Sequence, residues 1–169
     1  MTTPAPLTLH SATVRPEWID YNGHMNVAYY LLAFDQATDA VLDHFGLGRA
    51  YVAAEQRSLF VVDAHLTYAR EVVEGDPLRF ATLVLGADGK RLHLFHQMHH
   101  AGDGTLAATA EFMLLHVDLT TRKSCSFEPS AAAALAAMVA AHALLPCPPQ
   151  AGRAVRALAP ASELPISRG

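Results

Sequence analysis

Charge is scarce in this chain: 17% of its 169 residues are Asp, Glu, Lys or Arg, against about 25% in ordinary soluble domains. What charge there is leans acidic, with 12 Lys and Arg against 16 Asp and Glu and a formal net charge of −4. No basic excess is available to neutralise a phosphate backbone, so nucleic acid is not the expected partner. Cysteine is sparse as well. Cys125 and Cys147 show no CxxC or Cys/His zinc spacing, which favours a reducing, cytoplasmic setting over a disulfide framework. The segment Met1 to Thr8 lacks the positive start and apolar run of a signal peptide. The longest apolar stretch, residues 131–145, is shorter than the roughly 20 residues a bilayer span needs, so no membrane is expected as partner. There is no Gly-x-Ser-x-Gly elbow and no cysteine in a nucleophile motif, which leaves serine and cysteine esterase chemistry without support.

What is present is enough apolar material for a core. The hydrophobic share is 51%, and a chain of this length buries roughly 68–70% of its unfolded surface in one domain. The domain is expected over residues 1–145, followed by a Pro/Ala-rich tail at 146–169. Residues 8–14 suit a first strand, and 15–26 are dense in turn formers. From Val27 the apolar positions Val27, Tyr30, Leu31, Phe34, Val41, Leu42 and Phe45 recur at steps of three and four, the signature of a helix over 27–45. Asn26 stands where an N-cap belongs and Gly46 where a left-handed terminating residue belongs.

A polar stretch at 47–57 has no clear period. Beyond it the period falls to two, with Phe60, Val62, Ala64, Leu66 and Tyr68 on one face of a long strand. Gly75-Asp76-Pro77 turns into a strand at 78–85, and Asp88-Gly89 is a hairpin dipeptide leading into 91–100. Residues 105–119 are read as a fourth strand although their alanines favour helix, and an Ala-rich helix follows Pro129. The class is α+β: one long helix whose apolar face an antiparallel meander must wrap, because nothing else in the chain is large enough to cover it.

The chemistry concentrates in Asp20-Tyr-Asn-Gly-His-Met-Asn26, where a carboxylate and a histidine stand just upstream of a capped helix start. First-turn amides and the positive end of the helix dipole can stabilise an oxyanion or polarise a carbonyl. An aspartate with an ordinary pKa of about 3.9 is ionised at neutral pH and can serve as nucleophile or base. His24 suits a water-orienting role or a backbone-bonded turn; Asn26 suits a cap that also holds those amides in place.

The pattern Asp20-x-x-Gly23-His24-x-Asn26 entering a helix, followed by a long strand ending near Gly75-Asp76, resembles the hotdog-fold acyl-CoA thioesterases of the 4-hydroxybenzoyl-CoA thioesterase type over about residues 8–120. The resemblance implies a hotdog fold, an antiparallel sheet wrapped around one central helix. It also implies that Asp20 attacks the thioester carbonyl or directs water onto it while an amide near Val27 holds the carbonyl oxygen. No metal or bound cofactor is implied. A homodimer or homotetramer is, with sheets joined edge to edge and the acyl pocket at the subunit interface. Trp18-Ile-Asp-Tyr-Asn-Gly-His-Met-Asn26 and Lys90-Arg-Leu-His-Leu-Phe-His96 are similar, more narrowly, to the short thioesterases of bacterial carnitine breakdown that act on betainyl-CoA. A trimethylammonium acyl group suits aromatic faces, and Trp18, Tyr21, Tyr29 and Tyr30 cluster around Asp20 in sequence. The same rings are equally at home as core.

Lys90 and Arg91 could meet coenzyme A phosphates, although solvated turn charges are the commoner use of such residues. His96 and His100 share a strand face but stand about 13 Å apart, too far for one zinc ion. Gly102-x-Gly104 sits between meander strands, without the βαβ unit that dinucleotide binding requires. Two rival readings use the same residues. One is an enoyl-CoA hydratase with Asp20 and His24 as its acid–base pair, whose usual spacing is one residue longer. The other is an acyl-CoA binder without turnover.

Overall fold

Asn26 ends the loop and starts the long helix in one step. Its backbone is extended (φ −64°, ψ 144°) and its side-chain oxygen accepts from the Ala28 N–H at 3.0 Å, satisfying an amide that no preceding turn can serve. The helix, α1, spans Val27–His44. It stops at Phe45, after which Gly46 takes a left-handed φ of 68°, a conformation open to a residue without Cβ. Both boundaries agree with the sequence reading to within a residue. The aperiodic stretch that follows holds a second helix, α2 (Arg49–Glu55), with no fully buried residue; it meets the core through the half-buried Tyr51, and two turns with a single anchor leave no apolar period to read.

The structure is a computed structural model and describes residues 4–155. Its strands are β1 (Ser11–Thr13), β2 (Arg57–Tyr68), β3 (Pro77–Ala87), β4 (Arg91–His100), β5 (Leu106–Asp118) and β6 (Lys123–Ser124), followed by α3 (Pro129–His142). They form one antiparallel sheet in the order β1-β3-β4-β5-β2, with β6 paired to β5. The four long strands lie where the sequence places them, including 106–118. The two-residue β6 is too short to show a period.

One connection departs from the meander. Gly75 does turn the chain, with φ 84°, but β2 is not the neighbour of β3. It pairs with β5 at the opposite edge, so residues 69–76 cross from one side of the sheet to the other. Alternation dictates which face a strand buries, not which strand lies beside it. The crossover is tied down on its way: Met25 N–H donates to Val72 O at 2.9 Å, and Val14 N–H to Asp76 O at 3.0 Å.

The strict two-residue period of β2 is also broken. A bulge between Val61 and Asp63 shifts the register, and Phe60, Val61 and Val62 are all exposed, Val62 at 55%. This strand is one edge of the sheet. At the other edge the short β1 covers the start of β3, and further along β3 His142 of α3 accepts the Val84 N–H at 2.8 Å.

The sheet curls around α1, whose buried residues Tyr30, Ala33, Phe34, Ala37, Thr38, Val41 and Leu42 form one stripe. Phe34 meets Phe80 edge-on at 5.8 Å, and His96 meets Phe112 at 5.5 Å, geometries that contribute about 0.5–1.5 kcal/mol for an aromatic pair beyond the area buried. Of the segment read as a tail, Pro148 is buried and Gly152 N–H donates to Glu111 Oε2 at 2.7 Å. The part beyond residue 155 lies outside the described residues.

Candidate active site

The turn-rich loop folds back on itself before it enters α1. Ile19 bridges Met25, Asp20 N–H donates to His24 O at 3.1 Å, and Gly23 N–H donates to Asp20 O at 3.0 Å. The tip closes through Gly23 at φ 82°, which a side chain would strain. At the base, Asn26 N–H donates to Trp18 O at 2.8 Å. This small hairpin brings the Asp20 carboxylate to the helix mouth. Oδ2 accepts from Asn26 Nδ2 at 3.2 Å and Oδ1 from Asn22 N–H at 2.8 Å. The Asn26 amide is thus oriented from both sides, its oxygen toward an N–H and its NH₂ toward a carboxylate.

Val27 is the first helical residue, and its N–H meets no acceptor among the described residues. Val27 also lines a cavity of about 340 Å³, with His24 and Tyr30 on the helix side and Tyr68, Arg70 and Glu71 from the end of β2 and the crossover; Asp20 and Asn26 stand outside its lining. His24 Nδ1 lies 3.2 Å from Met25 O; a carbonyl only accepts, so Nδ1 carries a proton and Nε2 is the nitrogen left for another partner. An unspent amide at the positive end of a helix is a donor waiting for a carbonyl oxygen. The Asp20 carboxylate is bonded to the side chain of Asn26, the residue just before that amide, and the chain through Asn26 ends on the next N–H, that of Ala28. This pairing can polarise a carbonyl and deliver an oxygen nucleophile to it.

Asp20, His24, Asn26 and Val27 therefore come together. The aromatic group separates. Tyr30 lines the cavity, but Trp18 is 3% exposed and stacks on Tyr29 at 5.8 Å, with the Arg15 guanidinium 5.4 Å from its ring. Tyr21 stands 97% exposed at the hairpin tip. Lys90 and Arg91 lie at the far end of the sheet. Arg91 is opposite Leu115 and paired with Asp88 at 2.6 Å, whereas the site end of β4 is His100, opposite Leu78. One subunit does not bring them to the mouth. Tyr68, Arg70 and Glu71 escaped the sequence reading because only the crossover carries them to α1; the single hint was an aromatic ending a strand.

Residues 14–135 match the Thioesterase-like superfamily, and the chain belongs to it. It is 43% identical over 149 residues to the betainyl-CoA thioesterase of Pseudomonas aeruginosa, covering 88% of this chain and 94% of that one. Against the L-carnitine dehydrogenase/betainyl-CoA thioesterase of Ruegeria pomeroyi it is 42% identical over 151 residues, which cover 89% of this chain but 30% of the longer protein. A Staphylococcus aureus protein solved in complex with CoA superposes with a TM-score of 0.83 at 29% identity, over 94% of this chain and 100% of that one.

Proposed function

We propose that this chain, an acyl-CoA thioesterase, hydrolyses betainyl-CoA to betaine and free CoA in the cytoplasm, as a step of carnitine breakdown. The 43% identity to the Pseudomonas aeruginosa enzyme supports the acyl group. The single observation that carries the chemistry is the Asp20–Asn26 hydrogen bond, because it holds the carboxylate beside the unpaired Val27 amide. In this reading Val27 N–H takes the thioester carbonyl oxygen and Asp20 acts as base toward a water that His24 helps to orient through Nε2. The water oxygen bonds to the carbonyl carbon, the C–S bond breaks, and the proton drawn from water leaves with the CoA sulfur as a thiol. Asn26 positions both partners. No metal or cofactor takes part.

The working unit in this proposal is a homodimer joined at β2. That edge exposes Phe60, Val61 and Val62 beside unpaired backbone groups, a surface that invites strand pairing. Antiparallel pairing of β2 with its copy about a two-fold axis reverses the strand. With the axis near the middle of β2, it would turn the end of the partner's sheet that carries the partner's Arg57 and, two strands further in, the partner's Lys90 toward this subunit's Tyr68, so that cations for CoA phosphates would come from that side. A monomer in light scattering would rule this arrangement out.

The deciding assay is free-thiol release from a panel of acyl-CoA esters that includes betainyl-CoA. Asp20→Asn should lower kcat by at least about 100-fold with an unchanged melting temperature. Turnover near the parent level would remove Asp20 from the mechanism.

A further inference from the structure

We infer that Tyr30, Tyr68 and Glu71 form a corner that selects the acyl group by its positive charge, so that a quaternary ammonium ester is preferred to a neutral ester of the same shape. The inference rests on the thioesterase reading above and names the residues behind its choice of substrate. The two rings meet edge-to-face, 5.2 Å apart at 85°. Tyr30 is nearly buried, while Tyr68 is 49% exposed where both line the cavity.

Distance along the helix sets the scale. Tyr30 is three residues after Val27, on the same helical face, with side chains rooted about 5–6 Å apart. In a betainyl thioester one methylene separates the ammonium from the carbonyl carbon. A carbonyl held by Val27 N–H therefore keeps the cation inside this same small cavity.

Charge sets the sign. A quaternary ammonium has no N–H, so hydrogen bonds cannot recognise it, whereas aromatic faces and carboxylates can. Glu71 lines the cavity and pairs with no Lys, Arg or His among the described residues. Burial first, and the Glu71 charge among the lesser causes, hold the Tyr30 hydroxyl above its ordinary pKa, as expected for a carboxylate close to that ring. Arg70 is the one cation in the lining, and Asp103 holds its guanidinium at 3.0 Å. The uncompensated charge in the lining is therefore that of Glu71, and it is negative.

The test compares betainyl-CoA with 3,3-dimethylbutyryl-CoA, in which carbon replaces the charged nitrogen and the shape is kept. The parent protein should favour the betainyl ester in kcat/KM by about 30-fold, the scale of a desolvated cation–π contact. Tyr68→Leu and Glu71→Gln should each shrink that ratio by about fivefold or more, and Tyr68→Phe should keep most of it. Because both esters are read on one sample, loss of folded protein cancels from the ratio. Glycine betaine should also inhibit the parent more tightly than 3,3-dimethylbutyrate, a readout that needs no variant. A parent ratio near one, or a ratio untouched in Tyr68→Leu and Glu71→Gln, overturns the inference while leaving the proposed hydrolysis standing. Cleavage of other acyl-CoA esters but of neither of these overturns both.

Discussion

The middle of α1 and its mouth both carry polar side chains, and they differ in how much hydrogen-bonding capacity is left over. In the middle, His96 reaches α1 from β4 and is wholly buried. Thr38 Oγ1 gives its hydrogen to Phe34 O at 3.0 Å, so it accepts from His96 Nε2 at 3.0 Å, and Thr82 Oγ1 donates to Nδ1 at 2.8 Å. Burial lowers the His96 pKa to about 3, which keeps the ring neutral, with both nitrogens engaged. At the mouth, Asp20 receives two donors and retains lone pairs, while Val27 N–H has no protein partner among the described residues. Buried polar groups are ordinarily satisfied. Reactivity belongs where satisfaction is incomplete and a cavity gives access.

Val27→Pro breaks that contrast most sharply. Proline lacks the N–H, is tolerated at the first helical position, and requires an extended preceding residue, which Asn26 at φ −64° and ψ 144° already is. Turnover should fall about 100- to 1,000-fold, the usual cost of one lost oxyanion donor, with the melting temperature nearly unmoved; full activity would show that the amide is idle.

Acid probes the middle of the helix. The folded His96 pKa of about 3 lies below the ordinary 6.5, so below pH 6.5 the unfolded chain binds a proton that the folded one refuses. Stability is complete above that pH and declines toward pH 3, by up to about 1.4 kcal/mol per pH unit from this group. Burial lowers His10, His116 and His142 in the same direction. Urea melts at pH 7.5 and 5.5 should show the loss, and His96→Gln should make it shallower. An identical slope in that variant would assign the acid sensitivity elsewhere.

Asn26→Ala should have the smallest effect, and it touches both properties. Losing the cap should cost about 1 kcal/mol of stability, and releasing Asp20 should slow turnover about tenfold with little change in KM, because Asn26 acts through the carboxylate. A change in stability alone would leave Asn26 a cap and nothing more.

Much of this is legible in the sequence. Asn26 and Gly46 marked the ends of α1 because caps and terminators act locally, and Asp20 was legible because its distance from the helix start is counted in residues. The aromatic set divides between its two readings because sequence neighbours on a hairpin point in different directions: Trp18 goes to the core, Tyr21 to solvent, and only Tyr30 of the four lines the cavity. The β2 alternation failed at a bulge, a feature common on strand edges.

Alone, then, the order of residues determined the helix, its caps, the strands and the carboxylate poised ahead of the first helical turn, since each follows from backbone geometry over a few positions. Tertiary structure alone decided that β2 lies beside β5 and that Tyr68 and Glu71 face the helix mouth. Those neighbours depend on how a crossover is routed around a core, and routing is settled by packing among residues far apart in the chain.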